Sequence, residues 1–208
     1  MFPDDPVLAE EGHSSEARLH ARRAWIVDPL DGTREFGEAG RSDWAVHVAL
    51  AVDGTAAVGA VALPARGVTL ATDAPPQLTA PNGRRRLVVS RTRATLEVEA
   101  FAQLLDLELV AMGSAGAKAM AVVLDEAEIY AHSGGQYEWD SAVPVAVASA
   151  AGLHVSRLDG SPLRYNRADP WLPDLLICRP ELSDAVVAAW RELNGHRDME
   201  AAHGAEAQ

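Results

Sequence analysis

The sequence contains a single cysteine, Cys178, so the chain cannot form a disulfide framework and a zinc site built from cysteines is nearly excluded. The N-terminus lacks the basic stretch and the apolar run of a secretion signal. No apolar run reaches the roughly 18 residues that a membrane-spanning helix needs. These absences predict a soluble cytoplasmic protein that has no membrane partner.

Basic side chains are also scarce: 18 of them face 30 acidic ones, the net charge is −12, and Lys118 is the only lysine. Binding to a nucleic acid polymer needs several clustered cations, so we expect no such partner. The one basic cluster, at 84–86, follows a loop sequence and is interpreted as the solvated start of a strand. An acidic protein can still bind a small anion where metal ions reverse the sign of its site.

Composition and hydrophobic pattern are those of a globular α/β chain, with 48% hydrophobic and 23% charged residues. The first half predicts an antiparallel meander, in which an alternating strand at 44–52 turns at Asp53-Gly54 into a return strand at 57–63. The second half alternates strands and helices, which is typical of a mixed α/β layer. The strands are expected at 87–89, 107–111, 128–131 and 174–178, and the helices at 92–105, 117–124, 141–151 and 183–193.

Proline, glycine and asparagine are densest between residues 73 and 83, where we expect a boundary between subdomains. The expected organisation is an α+β subdomain at 1–83, an α/β subdomain at 84–194 that completes the active site, and a frayed polar tail at 195–208.

The sharpest local signal is the run D-P-L-D-G-T at 28–33, where the proline is expected to end a short strand at 24–27. A turn there can direct both carboxylates and the Leu30 carbonyl at one point, and Mg²⁺ prefers such a set of oxygen ligands. The N–H groups of Gly32 and Thr33 could then hold a phosphate. The alternative is a tight turn in which the two aspartates only accept hydrogen bonds from the backbone.

Two further acidic features lie far apart in the chain. The pair Glu10-Glu11 follows an apolar stretch, and Glu138-Trp139-Asp140 stands directly before the apolar helix expected at 141–151. Asp140 is well placed as the N-cap of that helix, and capping alone is the alternative to a role as metal ligand.

The segment 25–36, with W-D-S-A at 139–142 behind it and the acidic pair ahead of it, closely resembles the inositol-monophosphatase superfamily of metal-dependent, lithium-sensitive phosphatases. The resemblance covers the chain from about residue 6 to residue 193. The R-E-F ending at 34–36 is similar to the CysQ-type branch, which hydrolyses 3′-phosphoadenosine 5′-phosphate. The segments 113–120 and 135–140 also resemble that branch.

The resemblance implies a layered αβαβα sugar-phosphatase-like fold of the α/β (α+β) class. Family members normally begin with two further helices, and this sequence begins a few residues ahead of Glu10, so the first helical layer is expected to be missing or incomplete. Either the start was assigned too late or the chain is truncated. An apolar face of the meander would then be exposed, and a homodimer could bury it.

The resemblance also implies the chemistry: a phosphatase that uses two or three Mg²⁺ ions, is inhibited by Li⁺ and removes the 3′-phosphate of a small nucleotide bisphosphate in sulfate assimilation. The implied metal ligands are Glu10, Asp28, Leu30 through its carbonyl, Asp31 and Asp140, with Asp28 bridging two ions. The implied catalytic residues are Thr33, which orients or deprotonates the attacking water, Asp31 and Glu11. The implied substrate-binding residues are Leu30, Asp31, Gly32, Thr33, Ser114, Lys118 and Asp140.

Alternatives remain at this point. Relatives with the same metal site act on inositol 1-phosphate or fructose 1,6-bisphosphate. An inactive, truncated metal-binding or interaction remnant is the alternative from another class, and Lys118 could be a solvated helix residue rather than a contact to phosphate.

Overall fold

The computed structural model describes residues 4–12, 16–92 and 94–206, and from residue 195 onward it describes the backbone alone. Twelve strands and five α-helices lie within this part of the chain. The strands are β1 (Val7–Ala9), β2 (Arg23–Asp31), β3 (Ala45–Val52), β4 (Thr55–Leu63), β5 (Val68–Ala71), β6 (Arg86–Ser90), β7 (Glu108–Met112), β8 (Ile129–His132), β9 (Gln136–Tyr137), β10 (His154–Ser156), β11 (Trp171–Leu172) and β12 (Leu175–Cys178). The helices are α1 (Thr33–Phe36), α2 (Leu96–Leu104), α3 (Ala115–Val123), α4 (Glu138–Ala150) and α5 (Ser183–Glu206).

The elements stack in four layers. The first sheet has the order β1-β2-β3-β4-β5 and is antiparallel except for the pair β1 and β2. The second sheet has the order β10-β12-β8-β6-β7, in which β8, β6 and β7 are parallel and β12 is antiparallel to both β8 and β10. Helices α3 and α4 fill the core between the sheets, and α2 and α5 cover the far face of the second sheet. The predicted mixed α/β class is therefore confirmed.

The hairpin between β3 and β4 forms where the sequence predicts it. Asp53 and Gly54 both have positive φ, 49° and 77°, which is the conformation of a two-residue turn that matches the twist of a hairpin.

The buried face of β3 carries alanines and one histidine. Ala45, His47 and Ala49 are fully buried there and lie toward the helical layer, whereas Val48 of β3 and Val58 of β4 are 41% and 52% exposed. Small residues on the inner face of this sheet allow α4 to approach it closely. At Gly59 of β4, for example, an added Cβ would lie 3.0 Å from Val143 of α4. The outer face of this sheet therefore keeps exposed apolar side chains, and a homodimer that covers them stays a prediction.

Several element boundaries differ from the prediction, and two of the differences affect the site. Strand β2 does not end at Pro29 but continues to Asp31, because an irregularity in its pairing with β3 accommodates the proline. Helix α4 begins at Glu138 rather than at Ser141, so Tyr137 is its N-cap and Asp140 lies in its first turn.

The segment between β5 and β6, which includes the expected boundary at 73–83, contains neither helix nor strand. The backbone of α5 is helical to Glu206, past residue 195, where the sequence predicts a frayed tail. In the described part of the chain, no helix is long and apolar enough to cross a membrane.

Candidate active site

A bulge in β2 brings two aspartates to one face of the sheet. Asp28 pairs with His47 and Asp31 pairs with Ala45, so three steps along β2 match two steps along β3. Residues three apart in a regular strand point to opposite faces, and the extra residue of the bulge reverses this. Both carboxylates are therefore buried, with exposed fractions of 1% for Asp28 and 7% for Asp31.

The carboxylate of Asp31 lies at the N-terminus of α3. Its Oδ1 atom accepts a hydrogen bond from the Ala115 N–H (3.1 Å), and its Oδ2 atom accepts from the Gly116 N–H (2.6 Å) and the Ser114 hydroxyl (2.5 Å). Donors and helix dipole at this end both favour a negative charge. Ser114 adopts a positive φ of 49°, and its hydroxyl also accepts a hydrogen bond from the Ala117 N–H. The same hydroxyl therefore both caps α3 and holds the carboxylate of Asp31.

The third aspartate comes from the first turn of α4. The Asp140 Oδ2 atom accepts a hydrogen bond from the Tyr137 N–H at 2.7 Å. The prediction that Asp140 is the N-cap is wrong by three positions, yet its carboxylate does satisfy a backbone donor at the start of the helix. This contact fixes the carboxylate close to the end of β2.

Oxygen atoms of Asp28, Asp31 and Asp140 all lie within 4.8 Å of one another. Burial raises the pKa of Asp28 to about 8, and the negative charges of Asp31 and Glu10 contribute to this rise. The hydrogen bond that Asp28 accepts from the Leu30 N–H acts in the opposite direction but does not outweigh them. Carboxylates crowded in this way repel each other unless a proton or a cation lies among them. An all-oxygen donor set with excess negative charge fits a hard divalent cation.

The cluster lies in the wall of a cavity of about 490 Å³. Glu10, which follows β1, also lines this cavity, as expected for a fourth carboxylate. Glu11 is exposed and is not among the lining residues, because neighbouring residues at a strand end point in different directions. The structure thus places Glu10 at the cluster and leaves Glu11 away from it.

The turn after β2 contributes the next part of the cavity wall. Leu30, Gly32 and Thr33 all line it, and the Thr33 hydroxyl donates to the Leu30 carbonyl at 3.2 Å. Gly32 has a φ of 87°, a conformation that glycine adopts without strain, and a Cβ there would lie 3.0 Å from Ser114.

Ser114 and Lys118 are both buried and both line the cavity. The Lys118 ammonium donates to the Ser114 carbonyl at 2.6 Å and lies 5.4 Å from the centre of the Tyr130 ring. Lys118 is therefore not the solvated helix residue that the sequence left open, and it lies in the wall of the same cavity as the carboxylates.

A model of the inositol monophosphatase family matches residues 1–194, which is nearly the whole chain. The chain belongs to the inositol monophosphatase family. By this membership it is a metal-dependent hydrolase of phosphoric monoesters, and the carboxylate cluster is where it could bind metal.

Two curated relatives in this family illustrate the similarity. The chain is 52% identical over 202 residues to the 3′-phosphoadenosine 5′-phosphate phosphatase of Mycobacterium tuberculosis (strain CDC 1551 / Oshkosh), with 91% of this chain and 76% of the relative covered. It is 34% identical over 184 residues to the 3′(2′),5′-bisphosphate nucleotidase CysQ of Escherichia coli (strain K12), with 83% and 74% covered.

Solved structures of inositol monophosphatase family members agree with the fold. CysQ from Bacteroides thetaiotaomicron superposes with a TM-score of 0.72 at 27% identity, covering 85% of this chain and 77% of the other. SaIMPase-II bound to inositol monophosphate gives a TM-score of 0.76 over 100% of this chain and 83% of the other, at 21% identity. Because the identity to SaIMPase-II is only 21%, this similarity shows the fold alone.

An aromatic rim lies on the same cavity, and sequence reasoning missed it. We use this name for Tyr137, Trp139 and Trp171, all of which line the cavity. Tyr137 stacks on Trp139 with ring centres 4.6 Å apart and meets Trp171 edge-on at 5.3 Å. Tyr137 and Trp171 are cross-strand neighbours in β9 and β11, and they remain 43% and 41% exposed. Tyr137 and Trp171 are far apart in the sequence, so no local pattern predicts that they are neighbours.

Two buried acids near the cavity were also missed. Glu35 of α1 pairs with Arg91 at 2.7 Å and packs against Gly113, where a Cβ would lie 2.2 Å from the Glu35 side chain. Asp43 accepts from the Gly113 N–H at 2.6 Å, and the neighbouring Arg41 lowers its pKa even though burial alone would raise it. Both acids tie the chain after Asp31 to the loop before α3, so their role is to hold the cavity wall.

Proposed function

We propose that this chain is a Mg²⁺-dependent phosphatase that hydrolyses the 3′-phosphate of 3′-phosphoadenosine 5′-phosphate to give AMP, a reaction that fits sulfate assimilation. The observation that carries the proposal is the carboxylate cluster of Asp28, Asp31 and Asp140 in a cavity that also has the aromatic rim. The 52% identity to a mycobacterial 3′-phosphoadenosine 5′-phosphate phosphatase supports the choice of substrate.

Mg²⁺ is the metal that this donor set suits best, because hard cations prefer carboxylate and carbonyl oxygens. The residues that would hold two or three ions are Glu10, Asp28, Leu30 through its carbonyl, Asp31 and Asp140. Asp28 adjoins both Glu10 and Asp31, which suits it to a bridging position. Bound Mg²⁺ supplies a lowered pKa for water and stabilises charge on the phosphoryl oxygens. Inhibition by Li⁺ follows from the family likeness.

The chain's own residues prepare the site for an in-line attack on phosphorus. The Thr33 hydroxyl donates to the Leu30 carbonyl, and in the proposed reaction it would orient the attacking water. Ser114, which lies beside Gly32 of this turn, and Lys118 line the same cavity, so their hydroxyl and ammonium groups keep the phosphate side of the cavity polar and partly positive. These groups act by position and charge, which are the main sources of catalysis in phosphoryl transfer.

The aromatic rim favours a nucleotide over inositol 1-phosphate as substrate. A purine base has a flat π-face that stacks on exposed rings such as those of Tyr137 and Trp171, whereas inositol has none. Tyr137 lies three residues from Asp140, so a substrate whose phosphate is at the carboxylates would have its base within reach of the rim.

Phosphate release from 3′-phosphoadenosine 5′-phosphate, in Mg²⁺ and then in EDTA, tests the proposal. We expect turnover in Mg²⁺ alone, and a loss of at least about 100-fold in Asp31→Asn, because this change removes one ligand charge at nearly constant shape. Asp73→Asn is the matched control, since Asp73 is exposed and lies outside the cavity.

Three outcomes would contradict the proposal. Equal turnover in EDTA would refute the metal dependence, and substantial activity in Asp31→Asn would refute the ligand assignment. A wild-type chain that binds Mg²⁺ but releases no phosphate would favour the inactive metal-binding remnant.

A further inference from the structure

A histidine lies fully buried beside the carboxylate cluster, and the proposed reaction does not use it. His47 is at the centre of β3, opposite Asp28 of β2, and none of its surface is exposed. Its neighbours on the same face of the strand are Ala45 and Ala49, so the ring has room to extend over the sheet. Burying an imidazole among apolar groups is unfavourable unless its nitrogens find partners.

The two ring nitrogens of His47 face the two segments that carry the aspartates. The Nδ1 atom lies 3.1 Å from the carbonyl oxygen of Trp139, the residue directly before Asp140. The Nε2 atom lies 3.3 Å from Oδ2 of Asp31, but it makes no aligned hydrogen bond with any described residue. Buried polar atoms without a partner are rare in folded proteins, so this one calls for an explanation.

The backbone of α3 closes the remaining side of the ring. A Cβ added to Gly116 would lie only 2.0 Å from His47 Nε2, so the glycine allows ring and helix to touch. The N–H of the same glycine donates to Asp31. His47 is thus enclosed by the end of β2, the start of α3 and the start of α4.

We infer that His47 is a positioning residue that ties Asp31 of β2 to the Trp139-Asp140 segment of α4 and so sets the spacing of the metal-binding carboxylates. The inference deepens the proposed function and rests on it, because it assumes that these carboxylates bind the metal. Removal of groups that position the ligands of a metal commonly weakens metal binding by about 10- to 100-fold.

Binding of Mn²⁺, followed by its electron paramagnetic resonance signal in the absence of substrate, tests this role. We expect His47→Leu, which keeps the volume of the side chain but removes both nitrogens, to bind Mn²⁺ at least about 10-fold more weakly than the wild type. His47→Gln, whose amide can still reach a carboxylate, should recover most of that loss. In turnover assays, the Mg²⁺ concentration at half-maximal rate should rise in His47→Leu, while KM at saturating Mg²⁺ stays nearly constant.

Leu63→Ala is the matched control for destabilisation, because Leu63 is fully buried in the same core on β4. It should lower the melting temperature and leave Mn²⁺ binding unchanged. Wild-type affinity in His47→Leu would overturn the inference, as would equal loss of affinity in Leu63→Ala, which would mark a general effect of stability. A wild-type chain that binds Mn²⁺ and shows the His47 effect, but does not release phosphate from the nucleotide, would contradict the proposed function and leave the positioning role standing.

Discussion

The stability of the metal-free protein should fall as pH rises, and Asp28 is the reason. Burial and the charges of Asp31 and Glu10 raise the pKa of Asp28 to about 8 in the folded state, against an ordinary value of 3.8. Between these values the folded chain holds a proton that the unfolded chain has released. The contribution to stability is complete below the ordinary pKa and is lost as pH rises toward about 8.

The slope can be worked out from one proton. Well below the folded-state pKa each pH unit removes about 1.4 kcal/mol, and the slope lessens near pH 8, so the free energy of unfolding should fall by about 2 kcal/mol from about pH 6 to about pH 8. Asp28→Asn should remove this slope, because asparagine carries no charge and its amide oxygen can still accept from the Leu30 N–H. The variant should therefore be more stable than the wild type in EDTA at about pH 8.

Urea unfolding in EDTA across this pH range is the assay, with Asp73→Asn as a control at an exposed aspartate. Mg²⁺ should flatten the wild-type slope at high pH and leave Asp28→Asn almost unaffected. A wild-type slope equal to that of Asp28→Asn in EDTA would refute the reasoning, because it would mean that Asp28 is already ionised in the folded protein.

Three further predictions follow from the cavity wall. Tyr137→Ala and Trp171→Leu should each raise KM for the nucleotide by about 5-fold or more and leave KM for inositol 1-phosphate unchanged in steady-state assays, and equal effects on both substrates would contradict base stacking. Lys118→Ala should raise KM for 3′-phosphoadenosine 5′-phosphate more than it lowers kcat in steady-state assays, and an unchanged KM would remove Lys118 from the substrate site. Gly113→Ala should lower the melting temperature, because the added Cβ would lie 2.2 Å from the Glu35 side chain, and an unchanged melting temperature would show that Glu35 can move away freely.

Local pattern was sufficient for the parts of the fold that depend on neighbouring residues. The turn at Asp53-Gly54 could be predicted because a two-residue hairpin turn needs positive φ at both positions. The convergence of Asp28 and Asp31 could be expected from the D-P-L-D-G-T run. The structural cause of this convergence is a bulge that carries the strand past Pro29. The bulge could not be predicted, because it depends on the pairing of β2 with β3.

Residues whose roles depend on distant segments were harder to predict. Glu10 and Glu11 have the same chemistry, and only the direction of the chain after β1 decides that Glu10 lines the cavity. His47 gave a faint signal as a lone polar residue among alanines in an alternating strand. Its contacts to Asp31 and Trp139 arise because α4 packs against the first sheet, which no local pattern encodes.

The central claim is that this cavity hydrolyses a nucleotide 3′-phosphate at a carboxylate metal site. The most direct test compares kcat/KM of the wild-type chain for 3′-phosphoadenosine 5′-phosphate, inositol 1-phosphate and fructose 1,6-bisphosphate at saturating Mg²⁺. The account predicts that the nucleotide is preferred by about 10-fold or more, since the aromatic rim can stack only on a base. Equal or greater kcat/KM for either sugar phosphate, or no turnover of any of the three, would contradict it.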